Sequence, residues 1–291
     1  MSAIAEGGDA SIEVIKVLFT LHPGMDALDF VGPLEVLTWA QHDMKDPATK
    51  AFQCTFAAAQ EHTTTNQGCT FKAHIDFKEA QKRLKEFDVM IVPGGGTDGV
   101  LKTKSEPLQI IKAFADLQTR DPNRERTLMS VCTGSLFLGH MGILAGLSAT
   151  THPDYYTKFE IVCSEAAKRD LAERTDVLEE RYVVNNLRFD LGENMDENPY
   201  IRRRSDGRRP SNARKGSNAW RESNTRRESN ARRLALRLGG LRVITAGGIT
   251  SGIDAALYLV GAMVSDDSAQ EVARKLQHTW NKGVVVDGLD V

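Results

Sequence analysis

The sequence predicts an α/β protein with a mostly parallel central sheet covered by helices on both faces, and three observations carry that prediction. Apolar, β-branched segments alternate with segments of helical apolar spacing. Several strand segments are apolar at nearly every position, as strands buried on both faces are. Turns follow Thr20, Val92 and Val131, and in an open parallel sheet the carboxyl ends of strands are where sites gather.

The elements follow in order. Ile12 to Thr20 reads as a strand ending at His22-Pro23-Gly24. Pro33 to Gln41 has helical spacing, with Pro33 placed for a first turn. Phe52 to Ala59 is a second strand, followed by a polar stretch containing Asn66-Gln67-Gly68 and a short helix over Ala80 to Glu86. Asp88 to Val92 is an apolar strand running into Pro93-Gly94-Gly95-Gly96, and Leu108 to Leu117 is an amphipathic helix. Leu128 to Val131 forms a strand that turns at Cys132 into a helix reaching about Met141, and Thr150-Thr-His-Pro opens a further segment. Glu180 to Val184 and Leu241 to Ala246 look like hairpin partners, and helices over Gly252 to Val264 and Ala269 to Trp280 complete the chain.

With 291 residues, 41% of them hydrophobic, the chain can bury a substantial core. Its four cysteines are widely spaced and form neither a CxxC pair nor a metal-spaced cluster, so reduced thiols, no metal and no cofactor are expected. Met1 to Ser11 reads as an N-terminal tail without the features of a signal peptide, and no apolar run reaches membrane-spanning length. A cytoplasmic protein with no membrane partner is the expectation.

Residues 12–291 then form one domain interrupted at 187–240. Within that interruption, Ser-Asn hexads start at Ser211, Ser217, Ser223 and Ser229. Arg202 to Arg237 carries a local charge of +10 in a chain of net charge −2, which leaves −12 on the remainder. A six-residue period builds no apolar face, so disorder is expected and a basic arm for nucleic acid is the weaker alternative. Joining Asn186 to Leu241 would leave a short hairpin, which marks the segment as a late insertion dispensable for the fold.

Cys132 stands out chemically. A cysteine on a sharp turn from strand to helix meets unpaired N–H groups and positive partial charge, which lower a thiol pKa, and Thr133, Gly134 and Ser135 are small enough to let the turn close. The alternative is an ordinary buried thiol, the reading given to Cys54, Cys69 and Cys163. Gly94 to Gly96 either relieves a tight turn or offers amides beside Cys132. Asp29 is either a carboxylate at a helix N-terminus or, next to a thiolate, a group of raised pKa that donates a proton, with Asp26 its nearby competitor. His152 lines the pocket, as a general base or not, or hydrogen-bonds structurally. Gly247 to Asp254 reads as close helix packing, capped by Thr250 or Ser251, rather than a phosphate loop.

Five segments together, Leu28-Asp-Phe-Val-Gly-Pro33, Val92-Pro-Gly-Gly-Gly96, Ser130-Val-Cys-Thr-Gly-Ser135, Ala149-Thr-Thr-His152 and Ile244 to Asp254, resemble the ThiJ/PfpI superfamily of glutamine amidotransferase-like proteins. The LDxxGP and CTGS pair looks closest to its isonitrile hydratase (cyclohexyl-isocyanide hydratase) branch and to the related half of some AraC-type regulators. The resemblance implies a flavodoxin-like three-layer sandwich with a cysteine nucleophile elbow, usually as a homodimer. It implies Cys132 as nucleophile, Asp29 as the carboxyl contacting it, and Thr133 with Gly95 and Gly96 as binders of anionic charge. Thr133 stands where the protease-like branch has His, which disfavours peptidase activity, and Asp29 stands where the deglycase-like branch tends to have Glu. The implied activity is hydration of an isonitrile, a small-molecule substrate, to an N-substituted formamide. The alternatives are glyoxalase or deglycase action on small dicarbonyls, and a ligand- or redox-sensing module without turnover.

Overall fold

The computed structural model describes residues 14–186 and 238–286. In chain order these form β1 (Ile15–Thr20), α1 (Ala27–Trp39), β2 (Phe52–Ala58), β3 (His62–Thr64), β4 (Thr70–Lys72), β5 (Ile75–Asp76), α2 (Phe77–Lys82), β6 (Val89–Val92), α3 (Thr97–Thr103), α4 (Leu108–Arg120) and β7 (Thr127–Val131). Then come α5 (Ser135–His140), β8 (Ser148–Ala149), α6 (Tyr156–Asp170), β9 (Asp176–Val177), β10 (Tyr182–Asn186), β11 (Arg242–Ala246), α7 (Ser251–Met263), α8 (Asp266–Lys275) and β12 (Val284–Val286).

Eight strands make the central sheet in the order β12-β10-β11-β7-β6-β1-β2-β5. Pairing is parallel except between β10 and β11, where Tyr182 faces Ala246 and Asn186 faces Arg242, the hairpin partners expected from the sequence. Successive side chains of a strand point to opposite faces, and the sheet is apolar on both. Val17, Phe19, Ile91, Met129 and Val131 pack into one core with α1, α7 and α8. Leu18, Met90, Val92, Leu128 and Val243 pack into the other with α2, α4, α5 and α6. The result is the three-layer, mostly parallel sandwich.

Several boundaries differ from the sequence reading. α1 begins six residues before Pro33, because Asp26 Oδ1 accepts the Leu28 N–H at 3.2 Å and caps the helix there. Pro33 therefore sits inside the helix, where it lies against α7: its Cγ and both Val131 methyls close on Gly252, where a Cβ would meet Val131 at 2.9 Å. That contact bears out the close helix packing expected of the 247–254 segment, although Thr250 caps α7 without a side-chain hydrogen bond and serves Arg181 instead. α8 starts earlier and stops at Lys275, capped by Ser265 Oγ at one end and ended by Gln277 at φ 51° beyond the other. The β3–β4 hairpin, α3 and β12 are short elements that periodicity did not reveal, and the segment opened by Thr150 becomes the 15-residue α6.

The N-terminal tail and residues 187–237 of the expected insertion lie outside the described residues. The last residues of that segment belong to the packed body: Leu238 is buried in the second core, and Gln118 Nε2 donates to the Gly239 carbonyl at 2.9 Å.

Candidate active site

The carboxyl ends of β1, β6 and β7 meet at Cys132. Val131 is the last extended residue, Cys132 turns to φ 55°, and a 3₁₀ turn over Cys132–Gly134 leads into α5. A positive φ on a residue with a Cβ is strained and persists only where neighbours impose it. Here they do. The Cys132 carbonyl accepts the hydroxyls of Ser135 at 3.1 Å and Thr151 at 3.2 Å. The loop after β6 presses on the turn from the other side, so that a Cβ on Gly94 would lie 2.6 Å from the Thr133 nitrogen and one on Gly134 would lie 2.5 Å from the Val92 carbonyl oxygen. Glycine at 94 and 134 is thus a requirement of close approach.

Asp29, in the first turn of α1, is fully buried and reaches across to this loop, where its Oδ2 accepts the Gly94 N–H at 2.9 Å. The Cys132 thiol is the carboxyl's other close partner, while Oδ1 receives no hydrogen bond of full geometry among the described residues. Burial, and then the Asp26 charge, push the Asp29 pKa up to about 7; the Gly94 amide and the thiol only partly offset this. Asp26 is committed elsewhere, as the α1 cap and the acceptor of Gln67 Nε2 at 2.7 Å.

The expectation of a depressed thiol pKa is corrected by the structure. Burial first, and the facing Asp29 charge second, push Cys132 up to about 12, against which the Thr133 amide and hydroxyl pull down. The six-residue α5 behind a 3₁₀ turn presents little helix dipole. The half-buried Cys54 and the buried Cys163, which have no such turn, are likewise raised, to about 12 and about 11. Cys132 and Asp29 are best treated as one unit that resists carrying two negative charges.

The Gly95 amide requires a second correction, because it is not free to receive a substrate's charge. Its N–H donates to Thr133 Oγ1 at 2.8 Å, its carbonyl accepts His22 Nε2 at 2.7 Å, and the Gly94 carbonyl accepts the Asp26 N–H at 2.8 Å. Gly96, at φ 55°, heads α3 and is exposed. Thr133 remains the residue whose amide points at the sulfur. His152 makes its contacts away from the thiol: Nδ1 accepts the Asp154 N–H at 3.2 Å, the ring lies edge-on to Tyr155, and no hydrogen bond or ring contact links it to Cys132. Its predecessor Thr151 does touch the Cys132 carbonyl, and His22 buttresses the glycine loop. Both lie in segments the sequence marked as turns or motifs, yet neither carries a local pattern that names its partner. Among the described residues no group of three or more His, Cys, Asp or Glu side chains is placed to hold a metal ion, and no helix is long and apolar enough to cross a membrane.

An isonitrile hydratase of Pseudomonas putida is 30% identical over 142 residues, 49% of this chain and 54% of that protein, so the match spans about half the relative's length. Among solved structures, a THiJ/PfpI family protein from Pseudomonas syringae superposes with a TM-score of 0.52 at 16% identity, covering 97% of this chain and 84% of the other. Drosophila melanogaster DJ-1beta gives 0.54 at 14% identity, covering 92% and 100%, and an AraC family transcriptional regulator from Pseudomonas putida gives 0.54 at 14%, covering 90% and 99%. At these identities the structural likeness speaks to the fold alone. The DJ-1/PfpI family model, in contrast, matches residues 15–186, more than half of the sequence and the segment that holds Asp29, Gly94–Gly95 and Cys132, and the chain belongs to that family.

Proposed function

We propose that the protein hydrates isonitriles to N-substituted formamides. The observation that carries this reading is the pairing of Cys132, strained at the end of β7, with a fully buried Asp29 whose pKa is raised to about 7. The terminal carbon of an isonitrile bears a lone pair and must receive both a proton and a nucleophile. A thiol that keeps its proton and a carboxyl that is protonated in about half the molecules at neutral pH suit that demand, whereas a permanently ionised pair would lack the acid.

In the proposed course, the Asp29 carboxyl protonates the isonitrile carbon, the Cys132 sulfur bonds to the same carbon, and the thiol proton passes to the Asp29 carboxylate. The product is a thioimidate, R–N=CH–S–Cys. Water then adds to that carbon, its proton reaching the nitrogen by way of Asp29. The C–S bond breaks, the sulfur recovers a proton from the new hydroxyl, and R–NH–CHO leaves with one water consumed. The Thr133 amide and hydroxyl stabilise charge on the sulfur at both stages. The similarity to the Pseudomonas putida isonitrile hydratase supports the choice of substrate.

The test is formation of N-cyclohexylformamide from cyclohexyl isocyanide by the purified chain. Turnover is expected to be lost in Cys132→Ala and kept in Cys163→Ala. Lactate from methylglyoxal, with no formamide, would assign the site to the dicarbonyl reading instead; no turnover of either compound, with Cys132 oxidised by peroxide, would assign it to sensing.

A further inference from the structure

We propose that His22 is a positioning residue for this site, orienting, through Gly95, the Thr133 hydroxyl that faces the Cys132 sulfur. The inference rests on the reading of Cys132 as nucleophile and adds a residue to it. His22 follows β1 and is 1% exposed, its ring edge-on to Phe137 at 5.2 Å between centroids. Since a carbonyl only accepts, the 2.7 Å contact from Nε2 to the Gly95 oxygen places the ring proton on Nε2. Gly95 lies at φ 77°, and with its carbonyl held by His22 its N–H is aimed at Thr133 Oγ1, 2.8 Å away. A hydroxyl that accepts on that side has its one proton left to donate, and the sulfur is a partner of that hydroxyl.

A purely space-filling role would be met by an apolar side chain at lower cost, because burying an imidazole is unfavourable; here Nδ1 makes no hydrogen bond of full geometry among the described residues and the Nε2 contact to Gly95 is the ring's polar use. Burial also lowers the His22 pKa, so the ring stays a neutral Nε2–H donor at neutral pH. The charged groups acting on the sulfur itself are Asp29 and Asp26. His22 acts on neither its charge nor the substrate; it sets where the Thr133 proton points.

The experiment compares His22→Gln with His22→Asn in the full chain. The glutamine amide extends far enough to replace Nε2–H; the asparagine amide is one methylene shorter. Iodoacetamide alkylation of Cys132, followed by mass spectrometry as a function of pH, reads the thiol directly. Isonitrile turnover is measured in parallel. We expect His22→Gln to keep the wild-type alkylation profile, and His22→Asn to displace it and slow turnover roughly five- to tenfold, the effect of one lost hydrogen bond. Identical alkylation profiles in the two variants, both folded by near-ultraviolet circular dichroism, would overturn the proposal. So would failure of both to fold, which would make His22 a residue of the core only. A wild-type chain that consumes no isonitrile, with the Gln–Asn difference intact, would count against the proposed reaction and leave the role of His22 standing.

Discussion

Two buried carboxylates show how differently this fold uses the same side chain. Asp29 and Asp254 are both fully buried, each in the first turn of its helix, α1 and α7, which pack against one another. Asp254 is surrounded by donors: Arg181 Nε at 2.5 Å, His278 Nε2 at 2.8 Å and the Asn281 N–H at 3.0 Å. It ties the start of β10 and the segment beyond α8 to the end of the sheet. Among the described residues Asp29 has one backbone amide and a thiol, and no cation. A buried carboxylate held by an arginine, a histidine and a backbone amide is a structural clamp; Asp29, without that set of donors, has its pKa raised to about 7, and that suits a general acid.

The sharpest way to break this contrast is to remove the charge of each carboxylate in turn. Asp29→Asn is expected to reduce formamide production by roughly a hundredfold or more, the scale of a lost general acid. It should also stabilise the fold at alkaline pH. The folded pKa of Asp29, about 7, lies above the unfolded value of 3.8, so the stability associated with its protonated form is fully present below about pH 4 and is lost as pH rises through 7. Asparagine escapes that loss, and the variant should gain about 2–4 kcal/mol over wild type at pH 8 and nearly nothing at pH 4. Urea unfolding at the two pH values measures it. A variant less stable than wild type at pH 8 would mean that Asp29 is a clamp after all.

Asp254→Ala should behave in the opposite sense. It leaves Arg181 without its counter-charge and His278 without its hydrogen-bond partner, at a cost of about 2–4 kcal/mol, tempered because both side chains reach solvent. Urea unfolding of that variant, with turnover per folded molecule unchanged, is the check; a loss of turnover exceeding the loss of folded protein would join the two carboxylates into one functional unit. The smallest effect is expected from His278→Ala. The Asn281 amide and Arg181 still satisfy Asp254 there, so a loss of about 1 kcal/mol, read as a small fall in melting temperature, is expected.

Much of this was legible in the sequence because it depends on local pattern. The alternation of apolar strands and amphipathic helices specifies a two-sided sheet, and the Leu128–Leu138 segment marks a strand, a cysteine and a helix in immediate succession. Close packing of the 247–254 segment was legible for a similar reason, since a run of small residues at a helix start leaves few other uses, although its partner Val131 was not. The α1 boundary was less so, because Pro33 offers a plausible start and only the Asp26 cap shows the true one.

What the chain by itself determined is therefore its layer architecture, its parallel strand pairing and the cysteine placed at the strand-to-helix turn, all of which follow from residue type and spacing along a few consecutive turns. Only the tertiary structure decided the chemistry around that thiol. Burial beside Asp29 raises the Cys132 pKa where the turn alone predicts a fall. The Gly95 amide is taken by Thr133, 38 residues away, and its carbonyl by His22, 73 residues away, leaving neither for a substrate. A pKa is set by solvent exclusion and by charges a few ångströms off, and a hydrogen bond by which donor arrives first in space; neither is encoded in the spacing of residues along the chain.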